Sequence, residues 1–405
     1  MNKAPTNVTY EEVCQAHERI RESLPQTPLT YSHALSDRYE KKIYLKWDNK
    51  FATGSFKERG VVNFLSKLSA EDKEKGVCSA SAGNHALALS YHSSRMNIES
   101  TVFMPVDAPL VKVEASKRNG ATVRLEGKSF DEAYSKAQNF SKESGAIFVP
   151  GFEHSDIMNG QGTAALEVLS ELSSFDAAIV SVGGGGYMAG ISTVIKKTLP
   201  KAFVCGAQSE WIVQKRKQQD AGQNTLHSRS IADGIAVKTM GPTCERIIQQ
   251  NVDLLVSVSE QEIARALIQF IEAERAVVEG ACAAALAVFE KDVLPKEAQT
   301  IVLFVGGSNI DMNLLSRLIE RNLLERGQLA KLRVSVPDSP GSLASVTTQV
   351  SESGANILET FHDRASSKLP SNVDITFFLE VRNPDHKSSV IKSVEKLGLL
   401  VWDLS

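Results

Sequence analysis

Residues 177–197 read AAIVSVGGGGYMAGISTVIKK: a short β-branched apolar run, four consecutive glycines, then an amphipathic stretch. The run is apolar without strict alternation, as expected of a strand covered on both faces. Four glycines in a row carry a large conformational-entropy cost and need a reason. A tight structural turn is one. The other is a nest of backbone amides that point one way at the positive end of a helix and bind a phosphate. The segment is neither G-x-x-x-x-G-K-[ST] nor a G-x-G-x-x-G followed by an acidic residue, so a small phosphorylated ligand fits it better than ATP or NAD. Gly183, Gly184, Gly185 and Gly186 are candidate ligand residues on that reading.

The same texture recurs on both sides. Apolar runs at 41–46, 99–105, 121–126, 146–150, 202–207 and 300–305 alternate with amphipathic stretches at 55–69, 84–96, 109–119, 130–144, 160–172, 187–198, 260–273 and 280–291. Strands alternating with helices predict an α/β fold of parallel sheets flanked by helices. Near 330 the texture changes. LRVSVP (332–337) is followed by a helix over 340–353, strands over 355–361 and 373–381, a helix over 384–397 and a strand over 399–402. That βαββαβ order is a ferredoxin-like split βαβ unit. Its roughly 75 residues make a marginal core alone, so support from the rest of the chain or from a second copy is expected. The segment SSKLPS (366–371) reads as a mobile hairpin loop.

The net charge of −3 gives no electrostatic reason to expect nucleic acid. No apolar run approaches the ~20 residues that span a bilayer, and MNKAPTNVTYEEV has no secretion-signal h-region. The five cysteines are scattered, without a C-x-x-C pair, and the histidines do not cluster. Free thiols in a reducing cytoplasm are expected, with no zinc site.

Three more segments carry chemistry. Thr53-Gly54-Ser55-Phe56-Lys57-Glu58-Arg59-Gly60 puts Lys57 near a helix start, where a cation is disfavoured. A desolvated lysine there can be neutral and nucleophilic, as a Schiff base requires; the plain alternative is a solvated lysine after a turn. Ser79-Ala80-Ser81-Ala82-Gly83-Asn84-His85 opens the helix after a run at Val77, either as an ordinary cap or as a site for a carboxylate. Val305-Gly306-Gly307-Ser308-Asn309 follows TIVLFV at a strand's carboxyl end, where α/β proteins bind ligands.

Together these segments resemble the tryptophan-synthase-β-like class of pyridoxal-phosphate enzymes, and within it the threonine ammonia-lyase (threonine dehydratase) and serine dehydratase branch. Residues 53–60 are similar to its TGSFK-x-RG signature, 81–85 to SAGNH, 183–186 to its GGGG phosphate loop, and EGACAAA (279–285) to EGAGAAA. Residues 332–362, with Pro337-Asp338-Ser339-Pro340-Gly341 and Gly354-Ala355-Asn356-Ile357-Leu358-Glu359, look like an ACT domain. The resemblance implies a two-lobed catalytic domain over 1–328, its smaller lobe roughly 50–155, and an ACT-like regulatory domain over 329–405. It implies pyridoxal 5'-phosphate as cofactor, with Lys57 as the catalytic residue and covalent anchor. It also implies that Gly183 to Gly186 hold the phosphate, Phe56 packs near the ring and Asn84 bonds the ring's 3'-oxygen. Ser81, Ala82, Gly83, Asn84 and His85 would grip the substrate carboxylate. The implied reaction converts L-threonine, or L-serine, to a 2-oxo acid and ammonia. An amino-acid effector would bind around Asp338, Gly341 and Asn356, and a homo-oligomer, dimer or tetramer, is expected.

Departures bear on this. Val305 stands where some serine dehydratases have the cysteine that partners the ring nitrogen, and valine cannot hydrogen-bond. Either that nitrogen lacks a partner or Ser308 takes the role. Cys282 replaces a family glycine, as a packed thiol or as a redox-sensitive one. Ala82 stands where racemases of the class carry a reprotonating serine, which argues for elimination. Gln208 stands where the racemase-like branch has an acidic metal ligand, so no essential metal is expected. Serine racemase, hydroxyaspartate ammonia-lyase, or a degenerate ligand-sensing homologue are the alternatives.

Overall fold

A computed structural model describes residues 8–220, 230–363 and 371–405. Of the hairpin loop read at 366–371, all but Ser371 lies outside the described residues, as do the first seven residues. The chain divides into two compact units, Met1–Ile310 and Asp311–Ser405.

The first unit holds two sheets. Strands β1 (Leu29–Tyr31), β2 (Lys42–Trp47), β7 (Ala177–Ser181), β8 (Phe203–Ser209), β9 (Leu254–Val258) and β10 (Thr300–Val305) form a six-stranded sheet in the order β1-β2-β10-β7-β8-β9. Every pair but β1–β2 is parallel. Strands β3 (Val77–Ala80), β4 (Ser100–Met104), β5 (Thr122–Leu125) and β6 (Ile147–Phe148) form an all-parallel sheet in the order β5-β4-β3-β6. Wholly buried β7 explains the unbroken apolar run that the sequence shows there. Strand β9 escapes that reading because it closes the sheet: its outer residues alternate with buried ones. The helix predicted from 160 begins at Ser155, capped by His154 Nδ1, which accepts from the amide of Asp156 at 3.1 Å. Gly160 and Gly162 lie inside this helix although glycine is a poor helix former. In the fold they permit close packing, since a Cβ on Gly160 would come 2.5 Å from Arg59 O and one on Gly60 2.5 Å from Gln161 Nε2.

In the second unit, helix Met312–Glu325 precedes β11 (Leu329–Pro337), β12 (Asn356–Asp363), β13 (Asn372–Glu380) and β14 (Leu400–Asp403). The sheet is antiparallel in the order β12-β13-β11-β14, with helices Ser342–Glu352 and Pro384–Glu395 between its strands in sequence. Its core is Leu332, Val334, Val336, Val346, Val350, Ile375, Phe377, Leu379, Val390 and Val394. This is the split βαβ topology that the strand and helix order predicts.

One buried ionic cluster joins the first unit's parts. Arg59, wholly buried in helix Lys57–Ser66, forks onto Asp48 (2.7 and 2.8 Å) and onto Glu167 of helix Ser155–Glu171 (2.6 and 2.7 Å). Lys46 Nζ lies 2.6 Å from Glu167, so two cations meet two anions. Burial would raise the Glu167 carboxyl, but Arg59 and Lys46 hold it down to about 2. Replacing Arg59 by methionine leaves Asp48 without a cation and Glu167 with Lys46 alone in a dry interior. The expected loss is about 3–5 kcal/mol of unfolding free energy, read by urea denaturation; a loss under ~1 kcal/mol would mean that water reaches those carboxylates.

Candidate active site

Lys57 is the first residue of helix Lys57–Ser66. What precedes it is stitched to the end of β10. Gly54 turns at φ +74°, a left-handed conformation that suits glycine. Phe56 N donates to Gly306 O (2.8 Å) and Ser308 N donates to Gly54 O (2.9 Å). Ser55 and Gly307 form an antiparallel bridge. The lysine motif and the Gly306–Asn309 turn are thus one structure, although about 250 residues separate them.

The Lys57 ammonium donates to Gly151 O at 2.7 Å and lies 5.0 Å from the Phe56 ring centroid. Burial pulls its amine down to about 8, against the attraction of Cys244 and Glu279. The Phe56 ring stacks on Tyr187, centroids 3.9 Å apart, and Tyr187 donates to Asp48 Oδ2 at 2.7 Å. The tetraglycine lies alongside at the start of helix Gly186–Thr198. A Cβ would come 2.7 Å from Ile235 at Gly183, 2.5 Å from the Phe152 ring at Gly184 and 2.7 Å from Cys244 at Gly185. Side chains are therefore excluded, and the amides of a helix N-terminus are the groups that remain for a ligand.

Asn84 heads helix Asn84–Arg95. Its Oδ1 accepts from Asn309 Nδ2 at 2.8 Å, and its Nδ2 donates to both oxygens of Glu279 at 2.9 and 3.1 Å. Next to it, His85 is buried; burial and the Lys57 charge pull its imidazole down to about 4. A neutral ring donates from Nε2 to Val149 O (3.0 Å), which leaves Nδ1 buried without a hydrogen-bond partner. Ser81 Oγ accepts from Gly83 N at 3.2 Å. Ala82 packs against the small apolar cluster of Ala86, Val102, Met104, Val113 and Ala121. A side chain at Gly83 would meet nothing within 4 Å, so this turn faces open space.

Other predicted residues fall elsewhere. Val305 is the wholly buried last residue of β10, in register with Trp47. Ser308 Oγ donates to Gly54 O at 3.4 Å. Cys282 is buried against the turn, donating from Sγ to Gly307 O (3.1 Å) and accepting from Gly307 N (2.9 Å). Gln208 is buried on β8 opposite Ser257. In the second unit, Asn356 pairs with Glu380 at one end of the sheet. Asp338 and Gly341 follow Pro337, which pairs with Asn372 at the other end. Within one chain those three residues do not meet.

The family model of pyridoxal-phosphate dependent enzymes matches residues 20–307. The chain belongs to that family. It is 38% identical to an L-threonine ammonia-lyase of Geobacter sulfurreducens, over 97% of this chain and 98% of the relative. It is 37% identical to one of Thermotoga maritima, over 90% and 91%. Among solved structures, a processed threonine deaminase isoform of Solanum lycopersicum aligns with TM-score 0.69 at 30% identity, covering 79% of this chain and 91% of that one. Maize serine racemase aligns with TM-score 0.71 at 26% identity, covering 79% and 99%.

The pyridoxal-phosphate family's cofactor fits what is built here. A phosphate suits amides from which side chains are excluded, and an aldehyde suits a lysine amine whose charge is destabilised. The carboxyl of Glu279, absent from the motif reading, is a further perturbed group: burial lifts it to about 7. Its signal in the sequence is the single charged residue that opens the apolar run EGACAAA.

A lysine whose folded value lies near 8 and whose unfolded value lies near 10.5 adds stability above 10.5 that is lost as pH falls through 8. The cofactor-free protein should therefore gain denaturation midpoint as pH rises between those values. Lys57→Met should lack that component; an unchanged pH slope in the variant would show that the amine is already solvated.

Proposed function

We propose that this chain is an L-threonine ammonia-lyase that also accepts L-serine. The observation that carries the reading is the Lys57 amine, desolvated beside the tetraglycine turn, in a chain alignable end to end with proteins named for that activity. Gly183 to Gly186 would hold the cofactor's phosphate, Phe56 would pack near its ring and Asn84 would give an N–H to its ring oxygen. Val305 brings no hydrogen-bonding atom, so Ser308 is the hydroxyl left at that turn for the ring nitrogen. When bound, the cofactor supplies an electron sink for the substrate's α-carbon.

The chain's own residues do the rest. The amides and side chains of Ser81 to His85 bind the substrate carboxylate at a helix start that favours anions. Gly83 leaves room there. Lys57, with an amine near 8, has a free-base fraction at neutral pH and accepts the α-proton. The β-hydroxyl leaves as water, and hydrolysis of the released enamine gives 2-oxobutanoate and ammonia. Ala82 offers no proton to the opposite face of the α-carbon, which favours elimination over racemisation.

The domain roles belong to the same reading: catalysis in 1–328, with a smaller lobe near 50–155, and an ACT-like module in 329–405. The turn from Asp338 to Gly341 is the favoured place for an amino-acid effector. Because Asn356 lies at the far end of the sheet, it could join that turn only from a second copy, which accords with a homo-oligomer. Among the described residues no helix is long and apolar enough to cross a membrane, and the five cysteines are free. Both features suit a cytoplasmic enzyme.

The purified protein should be yellow, bleach with borohydride and release 2-oxobutanoate from L-threonine. Lys57→Ala should lose the colour and at least about a thousandfold in rate. If neither L-threonine, L-serine nor 3-hydroxyaspartate yields an oxo acid from the cofactor-loaded enzyme, the activity proposed here is wrong.

A further inference from the structure

We propose that Glu279 is a positioning residue, its carboxylate fixing which end of the Asn84 amide faces the cofactor. The inference rests on the reading of Lys57 and Asn84 as the cofactor site.

An asparagine amide can turn either end toward a ligand, so something must choose. Here the choice is made from both sides. Asn309 Nδ2 donates to the Thr53 carbonyl at 2.8 Å, an acceptor with no other role available, which fixes the Asn309 amide. Its second N–H then points at Asn84 and requires Oδ1 there. On the opposite side the Glu279 carboxylate takes Asn84 Nδ2 on both oxygens. One N–H of Asn84 is thereby engaged, and the other keeps a set direction.

Space for this carboxylate is reserved. A Cβ on Gly234 would come 3.0 Å from Glu279 Oε1, and one on Gly307 would overlap the carboxylate. Glu279 N donates to Gly307 O at 3.1 Å, which pins the residue's backbone to the same turn. Although Glu279 occupies the N-cap of helix Gly280–Ala287, its side chain does not cap that helix. It reaches across to Asn84 instead.

The clamp is sensitive to protonation. The charged and titratable groups around Glu279 are Lys57, Asp233, Lys112 and, on its own helix, Cys282. Lys112 is paired to Asp233 at 2.9 Å, and burial lifts the Cys282 thiol far above neutrality. Lys57 is taken up by the cofactor. That leaves burial and Asp233, against Asn84, the Asn309 backbone amide and Lys112, to set the Glu279 carboxyl, which is lifted to about 7. Above its midpoint the carboxylate accepts from Asn84. Below it, one oxygen carries a proton and no longer accepts, so Asn84 keeps a single neutral acceptor on this side and the clamp weakens to what Asn309 holds.

The test uses the cofactor-loaded full chain and follows the cofactor's absorption spectrum and dissociation constant from about pH 6 to 9. Wild type should bind the cofactor about tenfold more weakly on the acid side of a midpoint near 7. Glu279→Gln should lose the step near 7 and keep only the rise in affinity near 8 that deprotonation of Lys57 brings. Asn309→Ala, which loosens Asn84 from the other side, should weaken binding while keeping the midpoint. A wild-type profile without that midpoint, or a Glu279→Gln profile that retains it, would overturn the proposal. A wild-type protein that never forms a chromophore dependent on Lys57 would instead overturn the cofactor-site reading beneath it.

Discussion

The first unit is organised around a guanidinium that has no access to water. Arg59 can be buried only because Asp48 and Glu167 each take two of its hydrogen bonds. Satisfying that demand brings three parts of the chain together: the helix that begins at Lys57, the end of β2, and helix Ser155–Glu171. Only Glu58 lies between Lys57 and Arg59 on the same helix, so the orientation of Arg59 is inherited by Lys57. Tyr187 extends the cluster by donating to Asp48, and its ring then supports Phe56. A buried ion pair is weak evidence for stability. Its use here is geometric: it fixes the turn on which the reactive amine sits.

Desolvation then does the electrostatic work. The amine of Lys57 falls, the imidazole of His85 stays neutral, and the carboxyl of Glu279 rises, all with burial as the largest cause. Each shift disfavours the charged form. A site of this kind brings the titrations of the Lys57 amine and the Glu279 carboxyl toward neutral pH, which lets such groups exchange protons with a substrate at little cost. The glycines serve the same end. Gly234 and Gly307 admit the Glu279 carboxylate, and Gly183 to Gly185 let neighbouring side chains close over the turn.

Much of this was legible in the sequence because it is local. The strand–tetraglycine–helix unit, the lysine at a helix start and the βαββαβ tail each depend on residues a few positions apart. The boundaries that failed have physical reasons: the helix predicted from 160 starts at Ser155 under a His154 cap, which is not one of the common cap residue types, and β9 alternates because it is an edge. What the sequence hid was mutual placement. Asn84 meets Glu279 across 195 positions and Asn309 across 225, and no periodicity marks such pairs. The expected effector residues show the converse: Asn356 and Gly341 belong to one motif in sequence, yet the sheet register sets them at opposite ends.

The balance at Glu279 shows how two opposed effects can tune one carboxyl. Asn84 and the backbone amide of Asn309 donate to it, and Lys112 adds a positive charge nearby, all of which favour the ionised acid. Burial and Asp233 act against them. If the donors won outright, the group would remain a fixed carboxylate, and if burial won outright it would be a permanent acid. Its position near neutrality follows from an interior dry enough to oppose those donors but polar enough not to overwhelm them. That dryness comes from the wholly apolar helix behind it, GACAAALA, every residue of which is buried. Cys282 is compatible with this role because its thiol, unlike a carboxylate or an amine, brings no charge to the balance.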